Sequence, residues 1–241
     1  MRADILDTAL GRMLVLGSTG ALLVVAIAWT ATLVTIVIAH DGLGVDFQQY
    51  LAHTSRWQES GQFYLPHQLA GPTTIADGDP LYPPVILWLL IPFTVLPAIL
   101  WWAVPVAVIV GVLIYLRPAP WTWPLLGFIA MWPRTPALIL YGNPGMWVVA
   151  AIAAAVVWRW PGPLVLIKPS LFPFALIGFG SRGWFLTLAA YALLCLPFGA
   201  LWLDYLTVLR NSGVPLSYSL LDVPLALAPV IAGVGRRTRP T

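Results

Sequence analysis

The sequence predicts an all-α polytopic membrane protein, and three observations lead to this fold class. Of the 241 residues, 60% are hydrophobic and only 9% are charged, whereas soluble domains carry about 25% charged residues. The mean hydropathy is +0.87. Residues 13–39 contain no charged side chain, and this run exceeds the roughly 20 residues that a membrane-spanning helix needs. We therefore expect a single transmembrane domain over residues 1–241.

The apolar run 13–39 is the first predicted span. It is longer than the apolar core of a signal peptide, which has about 7–15 residues, so we expect it to be retained. Further apolar runs bring the expected number of membrane segments to about eight: 83–97, 98–116, 123–141, 146–160, 163–179, 184–203 and 220–234. The chain contains 23 prolines, and proline inside a span frees carbonyls that neighbouring helices or a lined cavity must satisfy. An internal cavity and kinked helices that pack without one both remain open.

The distribution of charge predicts the orientation in the membrane. Arginine is found near both ends of the chain, at Arg2, Arg12, Arg236, Arg237 and Arg239. The loop 40–80 carries five carboxylates and one arginine. Because basic residues stay on the cytoplasmic side, we expect both termini to be cytoplasmic and the loop to be extracytoplasmic in the cell membrane. The net charge of +3 is small, and no basic patch suggests nucleic acid as a partner.

The loop contains a short amphipathic pattern that predicts a helix over residues 46–60. Apolar and aromatic side chains recur at one helical face, at Phe47, Tyr50, Leu51, Thr54 and Trp57. Gly61 is a suitable end for the helix, and the Trp and Tyr side chains suit a position at the outer membrane surface. Asp46 stands at the N-terminal end, where a carboxylate can cap free backbone N–H groups. Capping and a chemical role for Asp46 both remain open at this point.

The remaining polar residues of the loop give weaker signals. All three histidines of the chain lie there, at His40, His53 and His67, but their spacing matches no known set of metal ligands. The sequence Asp77-Gly78-Asp79 resembles an oxygen-ligand motif for divalent cations, although Asp-Gly is also a strong turn dipeptide. We favour the turn, and we predict neither a metal nor a cofactor. The single cysteine, in the apolar run 184–203, is interpreted as a packing residue.

Two cationic residues lie in predicted spans. Lys168, the only lysine, is in "LVLIKPSLFPF", and Arg134 is in "MWPRTPALILYGN". Ionisable groups inside spans tend to face a cavity or a partner, and a lysine or arginine there can hold a phosphate. The alternative for Lys168 is that its ammonium snorkels to the nearer interface. The sequence leaves both interpretations open.

Five stretches, in this order, resemble motifs of one family. They are "GVDFQQYLAHTSRWQESGQFY", "YPPVILWLLIPFTVLP", "LYGNPGMWVVAAI", "LIKPSLFPFALIGF" and "LPFGALWLDYL". Together they are similar to the polyprenyl-phosphate-sugar-dependent glycosyltransferases of family 87, in the GT-C superfamily, which includes mycobacterial mannosyltransferases. The resemblance extends from about residue 13 to residue 225. It implies a GT-C-like bundle in which the helix 46–60 lies over a membrane cavity.

The resemblance also implies a reaction and a set of site residues. A hexose, most simply mannose, would pass with inversion from a polyprenyl-phosphate donor to a lipid or glycan acceptor on the extracytoplasmic side. The family's general base corresponds to Asp46 in this chain. The residues that would contact the donor or acceptor are Tyr50, Tyr82, Arg134, Asn143 and Lys168.

Departures from the family pattern keep two other functions open. The family's Gly-Gln-x-Asn motif reads Gly142-Asn143-Pro144-Gly145 here, and family members are considerably longer. A non-catalytic or truncated relative that acts as a membrane partner is one alternative. A transporter of lipid-linked sugars is the other, because broken helices and a lysine near the membrane midplane are typical of transporters.

Overall fold

The computed structural model describes residues 8–213 and 220–236. Over these two ranges the chain is all-helical and contains no β-strand, which confirms the all-α prediction. The α-helices are α1 Ala9–Ala39, α2 Val45–Ser60, α3 Pro66–Ala70, α4 Leu87–Leu90, α5 Ile99–Leu116, α6 Trp123–Met131, α7 Arg134–Tyr141, α8 Gly145–Trp158, α9 Phe172–Ala175, α10 Arg182–Cys195, α11 Leu201–Ser212 and α12 Val223–Val234. Short 3-10 helices connect them, at Pro84–Ile86, Ile91–Thr94, Pro120–Thr122, Gly162–Ile167, Pro169–Leu171 and Leu196–Phe198.

The longer helices pack into a bundle. The first helix, α1, lies against α6, and α8 packs on both α5 and α12. Most apolar side chains of α1 are exposed, for example Leu14, Leu16 and Ile27. A helix of 31 residues with an exposed apolar surface is compatible with contact with lipid, because such a helix is longer than the hydrocarbon core of a bilayer requires.

The amphipathic helix of the loop is present as α2. It begins after Gly44 and ends before Gly61, and both glycines adopt the left-handed conformation that favours glycine at helix ends. The predicted apolar face is turned inward: Phe47 is buried, and its ring lies 4.9 Å from the ring of Trp101 between centroids. Trp101 also packs edge-on against Phe93 at 5.0 Å. This aromatic cluster fixes α2 on the bundle and therefore fixes the position of Asp46.

The prediction of about eight membrane spans is not supported. Among the described residues, only α1 and α5 are long and apolar enough to cross a membrane. The count rises to four if two bent pairs each form one span, namely α7 with α8, bent by 113°, and Arg182–Phe198 with α11, bent by 91°. The apolar helices remain compatible with a membrane protein.

Proline is the physical reason for the smaller count. It lacks a backbone N–H and clashes with the preceding helical turn, so an apolar run that contains several prolines does not form one continuous helix. The run 163–179 contains three, and it folds as two 3-10 helices followed by the four-residue helix α9. The run 83–97 folds as a 3-10 helix, α4 and a second 3-10 helix, and the run 123–141 is divided at Pro133 into α6 and α7.

The predicted orientation stays a prediction. It was based on arginines at both ends of the chain, of which Arg2, Arg237 and Arg239 lie outside the described residues. The cysteine is partly buried and packs against the main aromatic and aliphatic core, as its apolar surroundings in the sequence suggested.

Candidate functional site

A cavity of about 490 Å³ lies between α2, the loop that follows α3, the two ends of α7, the segment 168–170 and α11. Its lining includes all six residues that were predicted as site residues from the sequence: Asp46, Tyr50, Tyr82, Arg134, Asn143 and Lys168. These residues span more than half of the chain in sequence, yet they share one space. The volume lies within the range of about 300–1,000 Å³ that is usual for small-molecule sites.

Asp46 is in the first turn of α2, and it does not cap the helix. The capping position is held by Gly44, and no side chain caps this helix end, so the interpretation of Asp46 as an N-cap is wrong. Its carboxylate is instead directed to Asn143, whose Nδ2 donates a hydrogen bond of 2.6 Å to Asp46 Oδ2. A carboxylate has about four acceptor sites on two oxygens, so one such bond leaves it able to accept another proton donor.

Asn143 is held in one orientation by its own hydrogen bonds. Its Oδ1 accepts from the Tyr82 hydroxyl at 3.1 Å and from the Gly145 backbone N–H at 2.9 Å. Because a backbone N–H can only donate, Oδ1 must be the oxygen, and the amide nitrogen must face Asp46. The amide of Asn143 therefore links the carboxylate to Tyr82.

The turn that carries Asn143 is tightly packed. Gly142 adopts a left-handed conformation with φ of 70°, and a Cβ there would come within 2.8 Å of Trp102 and 2.9 Å of Phe47. The carbonyl of Gly142 accepts a hydrogen bond of 2.7 Å from the Trp101 indole N–H. The turn and α2 thus share the same aromatic support, which sets the distance between Asn143 and Asp46.

The environment of Asp46 changes its basicity. Burial raises the pKa of Asp46 above its ordinary value of 3.8, because the charged form loses hydration. The hydrogen bond from Asn143 and the positive charges of Arg134 and Lys168 lower the pKa, but to a smaller extent than burial raises it. A carboxylate with a raised pKa is a stronger base than an exposed one, which is the property that general-base catalysis requires.

Lys168 and Arg134 form a cluster around one carboxylate that the sequence interpretation did not include. Lys168 Nζ lies 2.5 Å from Asp222 Oδ2, and Arg134 Nε lies 3.1 Å from Asp222 Oδ1. Lys168 is buried, so the alternative that its ammonium snorkels to an interface is wrong. It is paired inside the protein, with its Nζ 5.6 Å from the centroid of the Tyr82 ring.

Asp222 is a single acidic residue in the apolar run 220–234, and no sequence motif marks it as a site residue. The signal that pointed to it is the burial of Lys168: a buried cation needs a counter-charge. Acidic residues are rare in the apolar runs of this chain. Asp222 precedes α12, and 54 residues separate it from Lys168, so no local pattern could have paired the two.

The loop that closes one side of the cavity is held by polar contacts. Asp77 and Gly78 form a turn, as predicted, and Asp79 accepts a hydrogen bond of 2.9 Å from the Ala76 backbone N–H. The carboxylate of Asp79 also contacts His67 Nε2 at 3.0 Å. Within the described ranges, no cluster of three or more His, Cys, Asp or Glu side chains is arranged to hold a metal ion.

His53 anchors the same loop from α2. Arg56 donates a hydrogen bond of 2.6 Å to His53 Nδ1, and because arginine can only donate, Nδ1 is an acceptor and Nε2 carries the proton. His53 Nε2 then donates to the Gly78 carbonyl at 2.7 Å. Burial lowers the pKa of His53 below 6.5. The neutral imidazole of His53 therefore holds the loop in place.

Comparison with known proteins gives no match among family models, curated proteins or solved structures. The arrangement of the cavity itself therefore carries the functional interpretation. The cavity is lined by the Asp46 carboxylate, whose pKa is raised, and by the cations of Lys168 and Arg134, which both pair with Asp222. Such an arrangement can accept a proton from a hydroxyl group and can stabilise the negative charge of a phosphate.

Proposed function

We propose that the chain is a membrane glycosyltransferase that transfers a hexose, most simply mannose, from a polyprenyl-phosphate donor to the hydroxyl of a lipid or glycan acceptor. The proposal combines the resemblance of five sequence stretches to glycosyltransferase family 87 with the chemistry of the cavity. The observation that carries it is that one space is lined by both a basic carboxylate, Asp46, and a pair of cations, Lys168 and Arg134.

The proposed reaction assigns one task to each group. Asp46 accepts the proton of the acceptor hydroxyl while the hydroxyl oxygen forms a bond to C1 of the sugar. On the opposite face of the sugar the bond from C1 to the phosphate oxygen breaks, and the polyprenyl phosphate leaves with the electron pair. Lys168 and Arg134 stabilise that developing charge. The result is inversion at C1, and no redox partner or metal is required by the balance.

Tyr82 and Tyr50 line the space between Asp46 and the two cations. The hydroxyl of Tyr82 donates to Asn143 on the side of Asp46, while the Tyr82 ring lies below the Lys168 ammonium. The Tyr50 ring packs edge-on against it, with 5.4 Å between centroids. Tyr50 is partly exposed, and its aromatic ring suits the apolar face of a sugar. Both tyrosines are assigned to donor binding in this proposal.

The test is sugar transfer by the purified protein in nanodiscs. Radiolabelled polyprenyl-phosphate mannose is the donor, a membrane glycolipid extract is the acceptor, and the wild type is compared with Asp46→Asn. The substitution keeps the shape of the side chain and its contact with Asn143, and it removes the base. We expect at least the roughly 100-fold loss that is typical of a general base.

The matched control is Glu59→Gln, which neutralises an exposed carboxylate near the other end of α2 and is expected to transfer at the wild-type rate. Equal transfer by wild type and Asp46→Asn would remove Asp46 from the mechanism. If the wild type transfers none of a panel of polyprenyl-phosphate sugars, the enzymatic proposal fails. The chain is then better explained as a non-catalytic membrane partner.

A further inference from the structure

We infer that Asp222 is a positioning residue that sets the charge of the anion subsite, so that the subsite prefers a singly charged phosphodiester over a diphosphate. This inference deepens the proposed function and rests on its assignment of Lys168 and Arg134 to the donor phosphate. Asp222 does not need to touch the donor itself. It acts through the two cations that it holds.

The geometry divides Asp222 between its two partners. Each carboxylate oxygen contacts one cation, Oδ2 with Lys168 at 2.5 Å and Oδ1 with Arg134 at 3.1 Å. The side chain of Asp222 is 5% exposed, while those of Lys168 and Arg134 are 11% and 31% exposed. Both cations line the cavity, and Asp222 is not part of the lining. The carboxylate therefore stands behind the cations and orients them.

The position of Asp222 at the start of α12 supports this role. It is the residue before the first turn of the helix, yet its side chain makes no capping hydrogen bond there. Its hydrogen-bonding capacity is directed to the cations instead. Because α12 packs against α6 and α8, the carboxylate is fixed by the bundle, and the two flexible cationic side chains take their positions from it.

The charge balance has a consequence for the ligand. The cluster of Lys168, Arg134 and Asp222 carries a net charge of one. Three further carboxylates also line the cavity, those of Asp46, Asp77 and Asp79. A phosphodiester, such as a polyprenyl-phosphate sugar, carries one negative charge and matches the charge of this cluster. A diphosphate carries at least one more negative charge, which is repelled by Asp222 and by the carboxylates that line the cavity. Burial strengthens this effect, because charges in a partly buried site are screened less than those at the surface.

The experiment measures binding rather than turnover. Affinities of the purified full chain in detergent are determined for two non-reacting lipids, farnesyl methyl phosphate as the phosphodiester and farnesyl diphosphate. We expect Asp222→Asn to shift the ratio of the two affinities towards the diphosphate by about tenfold, the size of one charge interaction over roughly 10 Å at a protein surface. The control Asp204→Asn, at the start of α11 and beside a different cavity, is expected to leave the ratio unchanged.

A second comparison begins with Arg134→Gln, which keeps Asp222 and so does not depend on the folding of Asp222→Asn. Arg134→Gln alone should shift the ratio towards the phosphodiester, and the double variant Asp222→Asn/Arg134→Gln should restore the wild-type ratio. An unchanged ratio in Asp222→Asn, or equal ratios in Arg134→Gln and the double variant, overturns the inference and leaves the proposed function intact. If the wild type binds neither lipid, the anion subsite fails, and the proposed donor fails with it.

Discussion

Replacement of Asn143 by alanine tests the most specific contact of the site. Its amide donates a hydrogen bond of 2.6 Å to the Asp46 carboxylate, and hydrogen bonds to charged groups contribute about 1.5–3 kcal/mol. If this contact orients the base in the transition state, its loss lowers the transfer rate by about ten- to a hundredfold, because about 1.4 kcal/mol corresponds to a factor of ten.

The same substitution changes the pH dependence in a direction that the structure specifies. The Asn143 hydrogen bond lowers the pKa of Asp46, against the larger raising effect of burial. Asn143→Ala therefore raises the pKa further. A general base works only when it is deprotonated, so the acidic limb of the pH–rate profile moves to higher pH.

The assay is the initial rate of sugar transfer over a pH series for wild type and variant. The control is Asn211→Ala, which removes an asparagine side chain whose Nδ2 donates to the Gln68 carbonyl. It is expected to leave the acidic limb in place. A normal rate with an unmoved acidic limb in Asn143→Ala would show that the amide does not act on Asp46, and it would refute the proposed support of the base.

Three further predictions concern stability, measured as Tm in detergent. Asp46→Asn is expected to melt at the same temperature as wild type near neutral pH, or at a higher one. The pKa of Asp46 is raised in the folded state, so the ionised carboxylate opposes folding above that pKa. A clear loss of stability would instead indicate a structural role. Lys168→Met is expected to lose about 3 kcal/mol, near the low end for breaking a buried pair, since Asp222 keeps its arginine partner; an unchanged Tm contradicts the pairing. Wild type is expected to lose stability as the pH falls through the ordinary histidine pKa of 6.5, because the lowered pKa of His53 makes the unfolded state bind its proton first. His53→Gln should reduce this dependence; an equal pH dependence in the variant would rule out His53 as its source.

Local elements of the fold could be predicted from the sequence where local chemistry decides them. The bounds of α2 follow from its apolar face and from Gly61, and the turn at Asp77-Gly78 follows from its turn dipeptide. The number of membrane helices could not be predicted in the same way. Hydropathy identifies apolar runs, but the bends at Pro133 and in the run 163–179 depend on how proline interrupts each helix and on the tertiary contacts that satisfy the freed groups.

In the candidate site, too, the sequence predicted the residues but not the tertiary contacts between them. The six predicted residues line one cavity, yet the sequence could not specify their contacts. The role of Asn143 as the partner of Asp46 depends on a turn that is packed against Trp102 and Phe47, which is a tertiary property. The pairing of Asp222 with Lys168 joins residues 54 positions apart, so it is a property of the tertiary structure. The sequence indicates such a pair only indirectly, through a charged residue in an apolar run that needs a partner elsewhere in the chain.

The sharpest test of the proposed site is a structure of the protein with a phosphonate analogue of the polyprenyl-phosphate sugar. The analogue cannot be cleaved, so it reports the position of the donor before reaction. We expect its phosphonate to contact Lys168 or Arg134 at hydrogen-bonding distance, with the sugar beside Tyr82 and with Asp46 on the face of C1 opposite the phosphonate. An analogue bound elsewhere, for example in the second cavity beside Phe63 and Asp204, would contradict the assignment of the catalytic cavity.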